Sequence, residues 1–267
     1  MRIRTLLTAA LLTAVPLSGA LAKDAALAKA VSNEHRSPNL VERDKYRHPQ
    51  EVLEFAGIKP NSTVVEIAPG GGYWTEILAP YLKDKGTYYI AMTPRTASER
   101  AAKQVDDWNK KLADNKAHWG NVKIAEFGKD SYEIVPAGSA DLVMTSRNVH
   151  NWMGAGIADQ AFAAFYKALK PGGILSVEEH RAPADKPQDP KAENGYVRED
   201  YTIELAKKAG FKVVEKSEVL ANPKDTKDWP KGVWTLPPTL QMGETDRAKY
   251  LAIGEADNFL VKFQKPK

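Results

Sequence analysis

The 267-residue sequence contains no cysteine. That absence excludes a disulfide-stapled scaffold and a thiolate metal site, since both are built from cysteine sulfur. Charge of one sign is not in excess either: 38 Lys and Arg stand against 34 Asp and Glu, with acids mixed among the lysines along most of the chain. A nucleic-acid binder would show a basic stripe, so no nucleic-acid partner is expected. Internal repeats, low-complexity tracts and a linker that would cut the chain in two are also missing. At 43% apolar residues, the composition is that of a globular protein with one good-sized domain.

What is present begins with an address. Met1-Arg2-Ile3-Arg4 supplies a basic start, uncharged Thr5 to Leu17 an apolar middle broken by Pro16, and Ser18-Gly19-Ala20-Leu21-Ala22 a small-residue end before Lys23. These three parts predict a secretory signal peptide over residues 1–22, cut after Ala22. The stretch is marginal for spanning about 30 Å of hydrocarbon, so no stable membrane insertion is expected. The mature chain, 23–267, is then expected in the periplasm or outside the cell. Losing Arg2 and Arg4 lowers the net charge from +4 to +2.

After a polar lead, Lys23 to Arg47, Pro49 opens a short helix over 50–56 that Gly57 closes, as proline before and glycine after a helix should. Strands are predicted at 63–67, 87–92, 122–127, 140–145, 174–179, 211–220 and 258–265. Helices are predicted at 73–82, 96–114, 157–170 and 197–209, the third ended by Pro171-Gly172-Gly173. Alternation of strands with helices argues for an α/β domain, a parallel sheet covered on both faces. Residues 221–257, with Trp229, Trp234 and Pro237-Pro238, form a long excursion read as a functional loop or lid.

Open parallel sheets bind ligands beyond the carboxyl ends of their strands, where strand order reverses. Pro69-Gly70-Gly71-Gly72, after the first strand, is that place. Glycines let backbone N–H groups approach a ligand, and the next helix N-terminus adds partial positive charge. A nicotinamide-binding loop would put its acid at the end of the second strand. Here Met92 stands there, and the acid, Glu66, lies in the first strand. No Gly-Lys-Ser or Gly-Lys-Thr follows, so a P-loop is excluded.

Val64-Val65-Glu66-Ile67-Ala68-Pro69-Gly70-Gly71-Gly72 resembles the first motif of the class I S-adenosylmethionine-dependent methyltransferases, with Ala68 at one glycine position. The likeness continues through Ala140-Asp141-Leu142-Val143, Leu169 to Gly173 and the terminal strand pair. More narrowly, Tyr46-Arg47-His48-Pro49, Arg147 to Trp152 and Glu179-His180-Arg181-Ala182 resemble a group of exported predicted methyltransferases. The resemblance implies a Rossmann-like, doubly wound, mostly parallel seven-stranded sheet with the last strand antiparallel. It implies S-adenosyl-L-methionine as cofactor, held by Glu66, Gly70 and Gly72, with Met92 on adenine, Glu126 near the end of the third strand, and Asn148 steering cofactor or substrate.

Methyl transfer is an in-line displacement, so the protein positions a nucleophile and, for oxygen, removes its proton. His150 follows the fourth strand and Glu179-His180 closes the fifth. If these strands are neighbours, both histidines emerge at one rim, and His150, Glu179 and His180 become the catalytic candidates. A purely structural role, His150 ordering the loop 148–152, stands beside that reading. No metal is expected, because no helical His-x-x-x-His spacing supports one, although two histidines and Glu179 could in principle form an open site. Two functions follow: methyl transfer to a small molecule or envelope component, or non-catalytic binding of a small ligand on the same fold. A third, aminopropyl transfer, lacks an Asp-rich motif after the fourth strand. The acceptor and the oligomeric state leave no mark in the sequence.

Overall fold

The computed structural model describes residues 24–267; the leader and its cut lie outside the described residues. The described residues begin with four helices, α1 Ala25–Val31, α2 Pro38–Val41, α3 Asp44–Arg47 and α4 Pro49–Ala56. Strand and helix then alternate through β1 Thr63–Ile67, α5 Thr75–Leu82, β2 Thr87–Met92, α6 Glu99–Asp114, α7 Lys116–Trp119 and β3 Val122–Glu126. The second half runs β4 Ala140–Ser146, α8 Val149–Gly154, α9 Ala158–Ala168, β5 Leu169–His180, α10 Glu199–Lys208, β6 Lys212–Ser217, α11 Arg247–Ile253 and β7 Asn258–Gln264.

The seven strands lie in the order β3-β2-β1-β4-β5-β7-β6. All neighbours are parallel except β7, which is antiparallel to β5 and β6. The first strands add outward from β1 on one side and β4 and β5 add on the other, so the reversal falls between β1 and β4. The crevice expected for a ligand therefore opens beyond the ends of those two strands. Side chains alternate across each strand. Val65, Ile67, Val143, Leu175 and Val177 join α8, α9 and α10 in one core, and Val64, Tyr88, Ile90, Leu142 and Met144 join α1, α4 and α5 in the other.

Residues 149–154, expected to belong to a loop, form α8, and three further stretches differ from expectation. Residues 24–47 are not a loose lead: Leu27, Ala30 and Leu40 are buried in the second core, and the Asp24 carboxylate accepts from the N–H groups of Ala26 and Leu27 at 2.9 and 3.1 Å. Their apolar positions are too few, and the helices too short, to show a period. Pro171-Gly172-Gly173 does not merely follow a helix but lies within β5; α9 stops at Ala168, Leu169 pairs with Ala140, and the register shift before Leu142 absorbs the turn. Residues 221–257 carry α11 and a 3-10 turn at Gly232–Thr235, and Val233, Leu236, Tyr250 and Ala256 close a small third core around Tyr196. Among the described residues no helix is long and apolar enough to cross a membrane.

Candidate active site

The glycine loop leaves β1 through three residues in the left-handed region, Ala68 at φ +55, Gly70 at +55 and Gly72 at +94. Ala68, Gly70 and Gly71 are exposed, so the loop presents its backbone to solvent at the switch point. A Cβ on Gly70 would meet nothing within 4 Å, whereas one on Gly72 would lie 2.9 Å from Lys111 Nζ and 3.0 Å from the Trp108 ring. Gly72 thus makes room for α6, and Gly70 leaves room for a ligand. From α6, Lys111 Nζ donates to the Gly71 carbonyl at 3.0 Å and fixes the loop from behind.

Glu66 is buried, and its carboxylate accepts from Thr75 Oγ1 at 2.8 Å and from the Tyr88 hydroxyl. Burial pushes its carboxyl up to about 7, against the pull of the two hydroxyls and the nearby Lys111 charge. It therefore ties the first turn of α5 to β1 and β2 and shapes the loop. Met92 is buried at the end of β2, opposite Glu126 of β3, whose side chain is exposed. Asn148 Nδ2 donates to the Ser146 carbonyl at 3.0 Å and lies 3.3 Å from both the Ile67 carbonyl and Thr145 Oγ1. It bridges the ends of β1 and β4, across the switch point.

Because β4 and β5 are neighbours, the two histidines do meet: their ring centroids are 5.6 Å apart. His150 Nδ1 is 3.1 Å from each Glu179 oxygen, and that carboxylate also accepts from the backbone N–H of His150 at 3.2 Å and of His180 at 2.8 Å. His180 Nδ1 is 2.7 Å from Asn258 Oδ1. A carboxylate and an amide oxygen only accept, which assigns the proton of each ring to Nδ1 and leaves each Nε2 with a lone pair. Burial, with Arg147 and His150 close by, holds His180 well below the usual histidine range and therefore neutral. Trp234 meets His150 edge-on at 6.0 Å, and Tyr196 meets His180 at 6.3 Å. Donor atoms of His150, Glu179 and His180 all lie within 4.8 Å of one another, a set that could hold a divalent cation with a position left open.

Of the charged residues beside this pair, sequence reasoning singled out only Arg47, as a residue that either folds over the cofactor or sits in a solvated turn; it is buried. Arg43, Arg47 and Arg147 converge on Glu255, between α11 and β7, and Glu178 lies buried at the end of β5. Arg47 and Arg147 stood inside recognised motifs, which was the available signal; Glu255 stands in a stretch with no periodicity to mark it. A cavity of about 710 Å³ lies elsewhere, lined by Lys29, His35, Pro60, Tyr81 and Lys85, between α1, the start of β1 and the C-terminal end of α5.

No family model and no curated protein sequence matches the chain. Among solved structures it is similar to a SAM-dependent methyltransferase from Aquifex aeolicus, with a TM-score of 0.53 and 17% identity over 84% of this chain and 93% of that one. It is similar, too, to a Haemonchus contortus phosphoethanolamine N-methyltransferase in complex with S-adenosyl-L-methionine, with a TM-score of 0.52 and 16% identity over 83% of this chain and 53% of that one. The [4+2]-cyclase SpnF is alike to the same degree, with a TM-score of 0.52 and 15% identity over 82% of this chain and 80% of that one. One fold thus carries more than one chemistry, and the site must argue for the function. The strand order, the antiparallel β7 and these neighbours give the chain the Rossmann-like fold of the class I SAM-dependent methyltransferases.

Proposed function

We propose that this protein transfers the methyl group of S-adenosyl-L-methionine to a small-molecule acceptor. The observation that carries the reading is the exposed glycine loop at the switch point, set at the same rim as a buried His150–Glu179 pair. The residues present fit the cofactor: open space at Gly70, an apolar Met92 for adenine, and an exposed carboxylate, Glu126, beside it. Met92 stands at the end of β2, where an acid would grip the ribose hydroxyls of a nucleoside cofactor, and this favours the second reading, ligand binding without catalysis.

When bound, S-adenosyl-L-methionine supplies an electrophilic methyl carbon on a positively charged sulfur. The chain's own residues do the rest. Asn148 holds the rim between β1 and β4 at a fixed width, so an acceptor is aimed along one line. His150 Nε2, the free lone pair, takes the proton from the acceptor's attacking atom. Glu179, bonded to Nδ1, keeps the imidazole in that tautomer and stabilises the imidazolium that forms. His180, held neutral, places no second positive charge beside that imidazolium.

Isothermal calorimetry of S-adenosylmethionine and S-adenosylhomocysteine against residues 23–267 tests the cofactor. Micromolar binding is expected, and no binding at millimolar ligand would overturn methyl transfer in favour of the second reading. His150→Ala should lower turnover about 100-fold or more while leaving cofactor affinity unchanged, as loss of a general base does. Loss of both together would make His150 structural. We also propose, from residues 1–22, that the protein works outside the cytoplasm; the mass of the chain recovered there should begin at Lys23.

A further inference from the structure

His150 stands in the first turn of α8, Glu179 and His180 end β5, and all three are buried. One donor atom from each lies within 4.8 Å of the other two. Both Glu179 oxygens are 3.1 Å from His150 Nδ1. Two ligands each about 2.0–2.2 Å from one ion of the zinc class, at angles between square and tetrahedral, stand about 3–3.5 Å apart. The nitrogen and either oxygen therefore already have the separation that a shared ion sets.

The surroundings hold these donors in place. The Glu179 carboxylate accepts from the backbone N–H of His150 at 3.2 Å and of His180 at 2.8 Å, which anchors it and still leaves it lone pairs to give. His180 Nδ1 is bonded to Asn258 Oδ1 at 2.7 Å, so its Nε2 is the nitrogen left for an ion. A ligating histidine generally donates its other ring N–H to an oxygen acceptor, and Asn258 is placed for that by the sheet, since it pairs with His180 across β5 and β7. Two imidazoles with one carboxylate suit zinc and its first-row neighbours; magnesium and calcium take oxygen ligands instead. A second close pair, His35 and His118, has ring centroids 3.8 Å apart. Both of those rings are exposed, and among the described residues no acid completes a group of three with them.

We propose that His150, Glu179 and His180 bind one divalent ion of the zinc class, and that the ion switches the ring of His150 out of its proton-taking form. Without the ion, Nδ1 carries the proton, bonded to Glu179, and Nε2 has the lone pair. With the ion on Nδ1, that proton moves to Nε2, and the ring stays neutral. The lone pair that would receive an acceptor's proton is then gone, so ion binding and proton transfer exclude each other. Binding of the ion stands without the methyl-transfer reading; its blocking of the reaction rests on it.

The test titrates zinc and, as a control, magnesium into residues 23–267 carrying no histidine tag. Calorimetry should find one zinc ion per chain at micromolar Kd or tighter, with a raised thermal unfolding midpoint, and magnesium should give neither. Cobalt(II) in its place should show the strong visible bands of a four- or five-coordinate ion. His180→Gln and Glu179→Gln should each weaken zinc about tenfold or more, and so should Asn258→Ala, which leaves all three ligands and frees only the ring of His180. His118→Gln should leave the affinity unchanged. Magnetic resonance of the ring nitrogens should find the proton of His150 on Nδ1 without zinc and on Nε2 with it. Zinc binding no tighter than magnesium would overturn the site, as would loss of zinc in His118→Gln with the other variants unaffected. A His150 proton that stays on Nδ1 with zinc bound would overturn the switch. S-adenosylhomocysteine is titrated separately: if it fails to bind while zinc binds, methyl transfer falls and the ion site stands.

Discussion

Ala68 holds φ +55, a conformation that costs a side-chain-bearing residue roughly 1–2 kcal/mol. Glycine there would regain that cost, less about 0.4–1 kcal/mol for its freer unfolded chain. Ala68→Gly should therefore stabilise the protein, by about 0.5–1 kcal/mol in urea unfolding. Glu66 carries a pH signature of its own. Its folded carboxyl titrates near 7 against an ordinary value of 4.5, so the folded state binds the proton more tightly and loses stability as pH rises from 4.5 through 7. The loss is on the order of 3 kcal/mol at most. Glu66→Gln, which can still accept from Thr75 and Tyr88, should remove it, seen as a urea midpoint that falls less between acid and neutral pH. Glu66→Ala is a poor probe of cofactor binding, because it strands two buried hydroxyls. His180 works the other way: its folded value lies below the unfolded one, so its share of stability is present above about 6.5 and lost as pH falls. His180→Gln should blunt the acid-side loss. The convergence of His150, Glu179 and His180 was legible because strand ends fix where side chains emerge. The bonds that make Glu66 a strut were not, since Tyr88 and Thr75 are ordinary residues until the strands pair.

The N-terminal helices are the element that the sequence hid best. They lie along the second core, where Leu27 is 1% exposed, and bind α5 through polar ties: Ser37 donates to Glu76 from its N–H at 2.7 Å and its hydroxyl at 2.8 Å, and the Tyr81 hydroxyl donates to Asp24 at 2.6 Å. Their stability comes from docking, because helices of four to seven residues do not hold alone. Leu27→Ala should cost about 2–4 kcal/mol of unfolding free energy. By contrast, α4 and α6 were visible in outline because each carries its own signals: Pro49 and Gly57 bracket the first, and Ser98 Oγ accepts from the Ala101 N–H at 3.1 Å to start the second. The segment 221–257 was opaque for the same reason in reverse. Its tryptophans and α11 are ordered around Tyr196, a residue of another loop.

Across the whole molecule, the alternation of strands and helices told the sheet's class, and the motif in β1 told its family resemblance. The pairing of β7 between β5 and β6 depends on contacts that no local pattern encodes. Glu255 is the sharpest case of such distance, since it joins Arg43 across 212 residues and Arg147 across 108. That link has a consequence for the order in which the chain is made. Until residue 255 leaves the ribosome, Arg43 and Arg47 lack the Glu255 carboxylate they meet in the folded chain, and burying them would leave charge unpaired. The N-terminal helices therefore complete their docking only when synthesis is nearly complete.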